Sequence, residues 1–101
     1  MKYYQQGDVL VKSVSEIPSG GKVIRGRVVL AEGEATGHAH VMTGKNVLAY
    51  VVAGQMYLDV SAPTEIKHEE HGPIVIQPGK YRVDNVQEYD HFAEEARRVA
   101  D

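Results

Sequence analysis

Short apolar segments alternate with turns rich in glycine, proline and asparagine along most of this chain. Segments of this length that carry β-branched and aromatic residues are typical of β-strands. A helix is predicted only after Asp90, where Phe92, Ala96 and Val99 share one face and acidic residues precede basic ones. The sequence therefore predicts an all-β fold, a small barrel or sandwich, with a short C-terminal helix. The predicted strands are 8–14, 23–30, 38–42, 47–52, 56–60, 65–68, 74–77 and 81–83.

Glycines mark specific interruptions within this strand pattern. Gly26 falls inside the second predicted strand, which indicates a β-bulge or a close approach of backbone. The segment 44–46 predicts a turn between two strands. Gly54-Gln55 predicts a two-residue hairpin turn with glycine at its first position.

Composition limits the classes of protein to which the chain can belong. Its 101 residues fit a single domain, 1–101, and a net charge of −3 without any basic block argues against nucleic-acid binding. No apolar run approaches the roughly 18 residues of a membrane span, and the first residues lack a secretory signal, so we expect a cytoplasmic protein with no membrane partner. There are no cysteines. Any metal must therefore be held by histidine and carboxylate.

Four of the five histidines form two tight pairs beside predicted strands, His38 with His40 and His68 with His71. Residues i and i+2 of a strand project from the same face, so His38 and His40 can present two imidazoles side by side. Neutral imidazole is the commonest protein ligand for zinc, iron, nickel and copper. His68 and His71 cannot share one face of a straight strand; either the strand ends between them or Glu70 replaces one. The alternative is that all these residues are polar groups on exposed strand ends.

Two further sets of side chains have candidate roles. One of the nearby carboxylates could act as a general base on a metal-bound water or orient a ligating imidazole, or the set could form a solvated acidic loop. Most of the tyrosines are predicted to be core or rim residues, with ligand stacking by Tyr50 or Tyr57 as the alternative. The carboxylates in question are Glu32, Glu34, Glu69 and Glu70.

The segment from 33 to 82 resembles the cupin family, whose first motif has a glycine, a His-x-His pair and a later glycine. In the second motif a glycine precedes a Pro-x-Gly sequence and a histidine, and here one residue is missing between proline and glycine. The resemblance implies a small β-barrel with a metal site. The chain also resembles uncharacterised bacterial and phage proteins over Gln6–Leu10 and Gly33–His40. The matching positions for the cupin motifs are Gly33, His38, His40, Gly54, Gly72, Pro78 and Gly79.

The chain departs from the cupin pattern at two ligand positions. Gly44 and Lys45 stand where the family has a glutamate, and Tyr81 and Arg82 stand where it has a histidine. Two of the four family ligands are therefore absent. The resemblance then requires substitutes from the second histidine pair, namely His68, Glu70 or His71.

Three hypotheses follow from these patterns. The first is a divalent metal, zinc, iron or nickel, bound by His38, His40 and His68 with Glu70 or His71 completing the shell, in a protein that could act on a small polar molecule. The sequence identifies no substrate and no catalytic residue. The second is a non-enzymatic module that binds a small ligand or a partner. The third is a homo-oligomeric structural subunit that pairs through exposed strand edges.

Overall fold

A computed structural model describes residues 3–32 and 38–85 of the chain, and they form an all-β fold. The all-β prediction is confirmed. The predicted helix from Asp90 lies outside the described residues. Among those described, no helix is long and apolar enough to cross a membrane. The strands are β1 (Tyr3–Gln6), β2 (Val9–Ser13), β3 (Lys22–Glu32), β4 (Ala39–Val52), β5 (Gln55–Val60), β6 (Thr64–Ile66), β7 (Ile74–Ile76) and β8 (Gly79–Asn85).

Six strands form one antiparallel sheet in the order β1-β2-β8-β5-β4-β3, and β6 and β7 form a separate two-stranded sheet. The small sheet is joined to β4 by a bridge between Val41 and Lys67. Its other side reaches β1, because Gln77 just after β7 donates its N–H to the Tyr4 hydroxyl at 3.3 Å. The small sheet therefore connects two strands, β1 and β4, that are not neighbours in the large sheet.

One hydrophobic core occupies the space between the sheets, and every second residue of the central strands points into it. Tyr81 is the largest buried side chain, and its hydroxyl donates to the Gln77 carbonyl at 2.6 Å. Burial raises the pKa of Tyr81 to about 12, and the hydrogen bond and charge of Tyr4 act in the same direction. Inward-facing residues of β4 continue this row toward His40, which lies two residues before the buried Met42. The core thus ends at a histidine.

All predicted strands overlap observed ones, but two turns were predicted wrongly, at 44–46 and at 54–55, and one strand was missed. No turn divides β4 at 44–46, because β4 is continuous from Ala39 to Val52. The register between β3 and β4 shifts instead: Arg25 pairs with Leu48, whereas Gly26 pairs with Gly44. Residues 45–47 of β4 therefore bulge out of the ladder with β3. The predicted bulge at Gly26 is confirmed, with a φ of 84°. The missed strand is β1.

The hairpin between β4 and β5 turns through Ala53-Gly54 rather than the predicted Gly54-Gln55, because Val52 pairs with Gln55. Ala53 has a φ of 51° and Gly54 a φ of 80°. Positive φ at both central residues is the requirement of a type I′ turn, in which asparagine is preferred at the first position. An alanine in this conformation costs roughly 1 kcal/mol.

Replacing exposed Ala53 by asparagine should therefore stabilise the protein by about 1 kcal/mol, because asparagine tolerates the left-handed conformation. Thermal unfolding followed by circular dichroism should show a melting temperature higher by about 5 °C. The opposite control is Ala53→Val, which should destabilise because a β-branched side chain is poorly accommodated at positive φ. Equal melting temperatures for both variants would contradict this assignment of the turn.

Candidate metal centre

The first histidine pair lies at the start of β4 and the second in the loop after β6. His38 immediately precedes the strand and His40 is its second residue. β6 ends at Ile66, and the chain then turns through 68–71 before β7 begins. The strand thus ends before His68, so both histidines of the second pair can face the first.

The four imidazole rings form one cluster in the structure. The ring centroid of His68 lies 4.3 Å from that of His40, 4.6 Å from His71 and 5.7 Å from His38. His40 and His71 are 5.8 Å apart with nearly parallel planes, at 18°. Two stretches of backbone separated by nearly thirty residues therefore bring their histidines together. We refer to His38, His40, His68 and His71 as the histidine cluster.

The cluster has a buried base and an open top. His40 is only 5% exposed, whereas His38 and His68 are half-buried and His71 is exposed. Burial lowers the pKa of His40 below its ordinary value of 6.5, and the positive charges of His68 and His71 lower it further, against the carboxylates of Asp8 and Glu69. His40 therefore favours the neutral form, which is the form that binds metal.

The two glutamates of the loop make different contacts. The Ala39 N–H donates to Glu69 Oε1 at 3.0 Å and thereby lowers the pKa of the Glu69 carboxyl. Glu70 Oε1 lies 3.5 Å from His38 Nδ1, and the Glu70 N–H donates to His68 Nδ1 at 3.0 Å. Glu70 thus belongs to the edge of the cluster, while Glu69 fastens the loop to β4. Glu34 lies outside the described residues, as does the side chain of Glu32.

Within residues 3–32 and 38–85, no group of three or more histidine, aspartate or glutamate side chains stands ready to hold a metal ion. The physical reason lies in the way the rings meet. His40 and His71 lie with nearly parallel ring planes, and the Nδ1 lone pair of His68 already accepts the Glu70 N–H. In this arrangement the cluster contains the ligand types of a metal site, but they are not arranged to hold one ion.

Sequence reasoning missed one residue of the cluster's surroundings, Gln6. This side chain is 3% exposed, and its Oε1 lies 2.8 Å from His40 Nδ1. Its Nε2 donates to the carbonyls of Ile66 and Gly72, both at 2.9 Å. The available signal was Gly7-Asp8, a dipeptide typical of a two-residue hairpin turn, which would have predicted β1 and placed Gln6 in a strand.

Gly7 packs against the cluster. Its φ is +56°, and a Cβ at this position would lie 2.6 Å from His71 Nε2. The His71 ring therefore packs against bare backbone, in space that only glycine leaves open.

A separate cleft of about 640 Å³ lies near the opposite end of β4 from His40. Tyr50, Asp59 and Lys80 line it together with the loop 16–21. Of the two tyrosines considered for ligand stacking, Tyr50 is thus on the wall of a cleft.

The positions that depart from the cupin pattern are not part of the cluster. Lys45 lies in the bulge of β4, and Tyr81 is a core residue bonded to Gln77.

Comparison with known proteins gives a family without an assigned activity. A family model described as a domain of unknown function, DUF8820, matches residues 5–85. No curated protein and no solved structure matches the chain. The matched segment runs from β1 to the end of β8 and includes Gln6 and the whole histidine cluster. The chain therefore belongs to the DUF8820 family.

Proposed function

We propose that this protein binds one divalent transition metal ion, zinc, iron or nickel, through the histidine cluster: His38, His40 and His68 bind it, and His71 or Glu70 completes the shell. The observation that carries the proposal is the meeting of four imidazoles from two distant segments, with ring centroids 4.3 to 5.8 Å apart. Imidazoles bound to one tetrahedral zinc at about 2.0 Å have centroids roughly 5 Å apart. The spacing of the rings therefore matches that of a metal site.

Binding requires the rings to reorient, because no group of side chains among the described residues stands ready to hold a metal ion. His68 must give up the hydrogen bond from the Glu70 N–H, which costs about 1 kcal/mol. Metal sites of comparable ligand number contribute on the order of 10 kcal/mol. The exposed ring of His71 and the half-buried rings of His38 and His68 can turn about their own side-chain bonds, so the backbone can stay in place.

The position of the cluster supports a centre open to solvent. His40 closes the bottom, while His71 and Glu70 are exposed at the top. A metal held there is open to water or a small polar molecule on its exposed side, and where His71 is the fourth ligand, Glu70 is the nearby carboxylate that can act as a base. The resemblance of Gly33, His38, His40 and Gly54 to the first cupin motif supports the same chemistry.

A titration of metal-free protein tests the proposal. Protein purified without an affinity tag is titrated with zinc, iron(II) or nickel in competition with a chromophoric chelator. We expect one ion per chain with a Kd below about 1 μM, equivalent to about 8 kcal/mol. The double variant His38→Ala/His40→Ala should not bind. Absence of uptake, or undiminished uptake by the double variant, would overturn the proposal.

Gly7→Ala should weaken zinc binding about tenfold, because the added methyl group displaces the ring of His71. Gly26→Ala is the matched control: its φ of +84° imposes a similar backbone cost, but a Cβ there meets nothing within 4 Å. Competition titration of both variants measures the difference. Equal affinities in the two variants would show that His71 does not contribute a ligand.

The cleft beside Tyr50 favours a second candidate, a module that binds a small molecule without metal. Its lining combines the aromatic Tyr50 with two acidic side chains, Glu16 and Asp59, and one basic side chain, Lys80, which suits a small polar ligand. This candidate predicts that ligands found by thermal-shift screening bind equally well after chelation and lose affinity in Tyr50→Ala. Loss of binding on chelation would instead favour the metal centre.

A further inference from the structure

The contacts of Gln6 determine the orientation of its amide. Nε2 lies 2.9 Å from both the Ile66 and the Gly72 carbonyl oxygens, and only an NH₂ group can donate to two acceptors. Rotating the amide by half a turn would place Oε1 against these two oxygens, with no proton between them. Oε1 is therefore the atom that faces His40, at 2.8 Å.

This orientation fixes the tautomer of His40. An amide oxygen can only accept, so His40 Nδ1 must carry the proton and donate it to Gln6. The lone pair of neutral His40 is then on Nε2. Gln6 and His40 are the two buried polar side chains among the described residues, so this hydrogen bond is protected from competing water.

Gln6 also fixes the loop that carries the other pair. Its two acceptors, Ile66 and Gly72, lie on either side of the segment 67–71, which contains His68 and His71. One side chain thus holds both ends of that segment and the ring of His40. The neighbouring Gly7 provides the surface on which His71 packs.

We infer that Gln6 is the positioning residue of the metal centre: it holds His40 as the Nδ1–H tautomer, leaves Nε2 as the donor atom, and ties that donor to the loop of His68 and His71. The inference rests on the proposed function. Ligating histidines in proteins commonly donate their second ring nitrogen to such a partner, and loss of the partner weakens metal binding by about 10–100-fold.

Tautomers in metal-free protein labelled with ¹⁵N-histidine provide the test. Long-range ¹H–¹⁵N correlation spectra recorded above pH 7.5 distinguish a protonated from an unprotonated ring nitrogen. We expect the proton of His40 on Nδ1 and that of His68 on Nε2, since His68 Nδ1 accepts the Glu70 N–H. His68 thus serves as an internal reference for the opposite tautomer in the same spectrum.

The variant Gln6→Met, which has no amide, should release His40 to the Nε2–H form and weaken zinc binding at least tenfold. The matched control Gln5→Met changes the exposed neighbour of Gln6, and it should alter neither the tautomer of His40 nor the affinity for zinc. A wild-type His40 protonated on Nε2 would overturn the inference even if Gln6→Met failed to fold. Undiminished zinc binding by folded Gln6→Met would overturn it too. Absence of zinc uptake by the wild type would instead overturn the proposed function, and with it the role of Gln6 at a metal.

Discussion

Replacing His40 by alanine should weaken zinc binding by at least about 100-fold, more than the loss of an outer-shell partner typically costs. His40 is the most deeply buried member of the histidine cluster. Gln6 sets its tautomer, and burial lowers its pKa. No other described histidine is as deeply buried. Competition titration with zinc measures the loss.

Two companion variants make this result interpretable. His68→Ala removes the ring that contacts members of both histidine pairs. Although His68 lies in a loop outside the strands, this variant should also bind zinc weakly. Lys67→Ala changes its exposed neighbour and should bind zinc as the wild type does. Wild-type affinity in folded His40→Ala would contradict the assignment of this residue as a ligand.

Replacing Gln6 by methionine should lower the free energy of unfolding of the metal-free protein by about 3 kcal/mol. Methionine keeps the length of the side chain but removes three hydrogen bonds, each with a net value of about 1 kcal/mol. The carbonyl of Ile66 and Nδ1 of His40 are more costly to leave unpaired than the carbonyl of Gly72, because their contacts with Gln6 are buried and that of Gly72 is only partly buried. Urea unfolding followed by circular dichroism gives the difference.

Gln5→Met provides the control for this stability measurement. Gln5 is exposed and makes a local hydrogen bond to the Gly7 carbonyl, so its replacement should change stability by less than about 0.5 kcal/mol. Both variants must be compared free of metal, because a bound ion would stabilise the folded state by mass action. Similar stabilities for the two variants would show that the buried contacts of Gln6 contribute little.

The strands could be predicted from the sequence where local pattern and final structure agree. Val9 and Val11 are buried, whereas Leu10 is only partly buried and Lys12 is exposed, as a strand with one buried face requires. The turn at 44–46 was predicted wrongly because Gly44 and Asn46 have turn propensity, yet Gly44 pairs with Gly26 of β3 and the Asn46 carbonyl accepts the Ser61 N–H, so β4 continues through this segment. A bulge and a turn use the same residues, and only the neighbouring strands decide between them.

The histidine cluster was predictable because its members lie in pairs, and pairs limit where the side chains can point. Gln6 was not, since a lone glutamine in a polar N-terminal segment has no local signal of burial. Its role arises from contacts that span 34 residues to His40 and 60 to Ile66. The contacts of an outer-shell residue depend on how distant strands pack, and no spacing rule specifies them.

X-ray absorption at the zinc edge of the loaded protein counts the imidazoles bound to the ion and so tests the histidine ligands themselves. We expect a shell of three or four imidazole nitrogens at about 2.0 Å, with at most one carboxylate or water oxygen. A shell made mainly of oxygen atoms, or one with fewer than two imidazoles, would contradict this expectation.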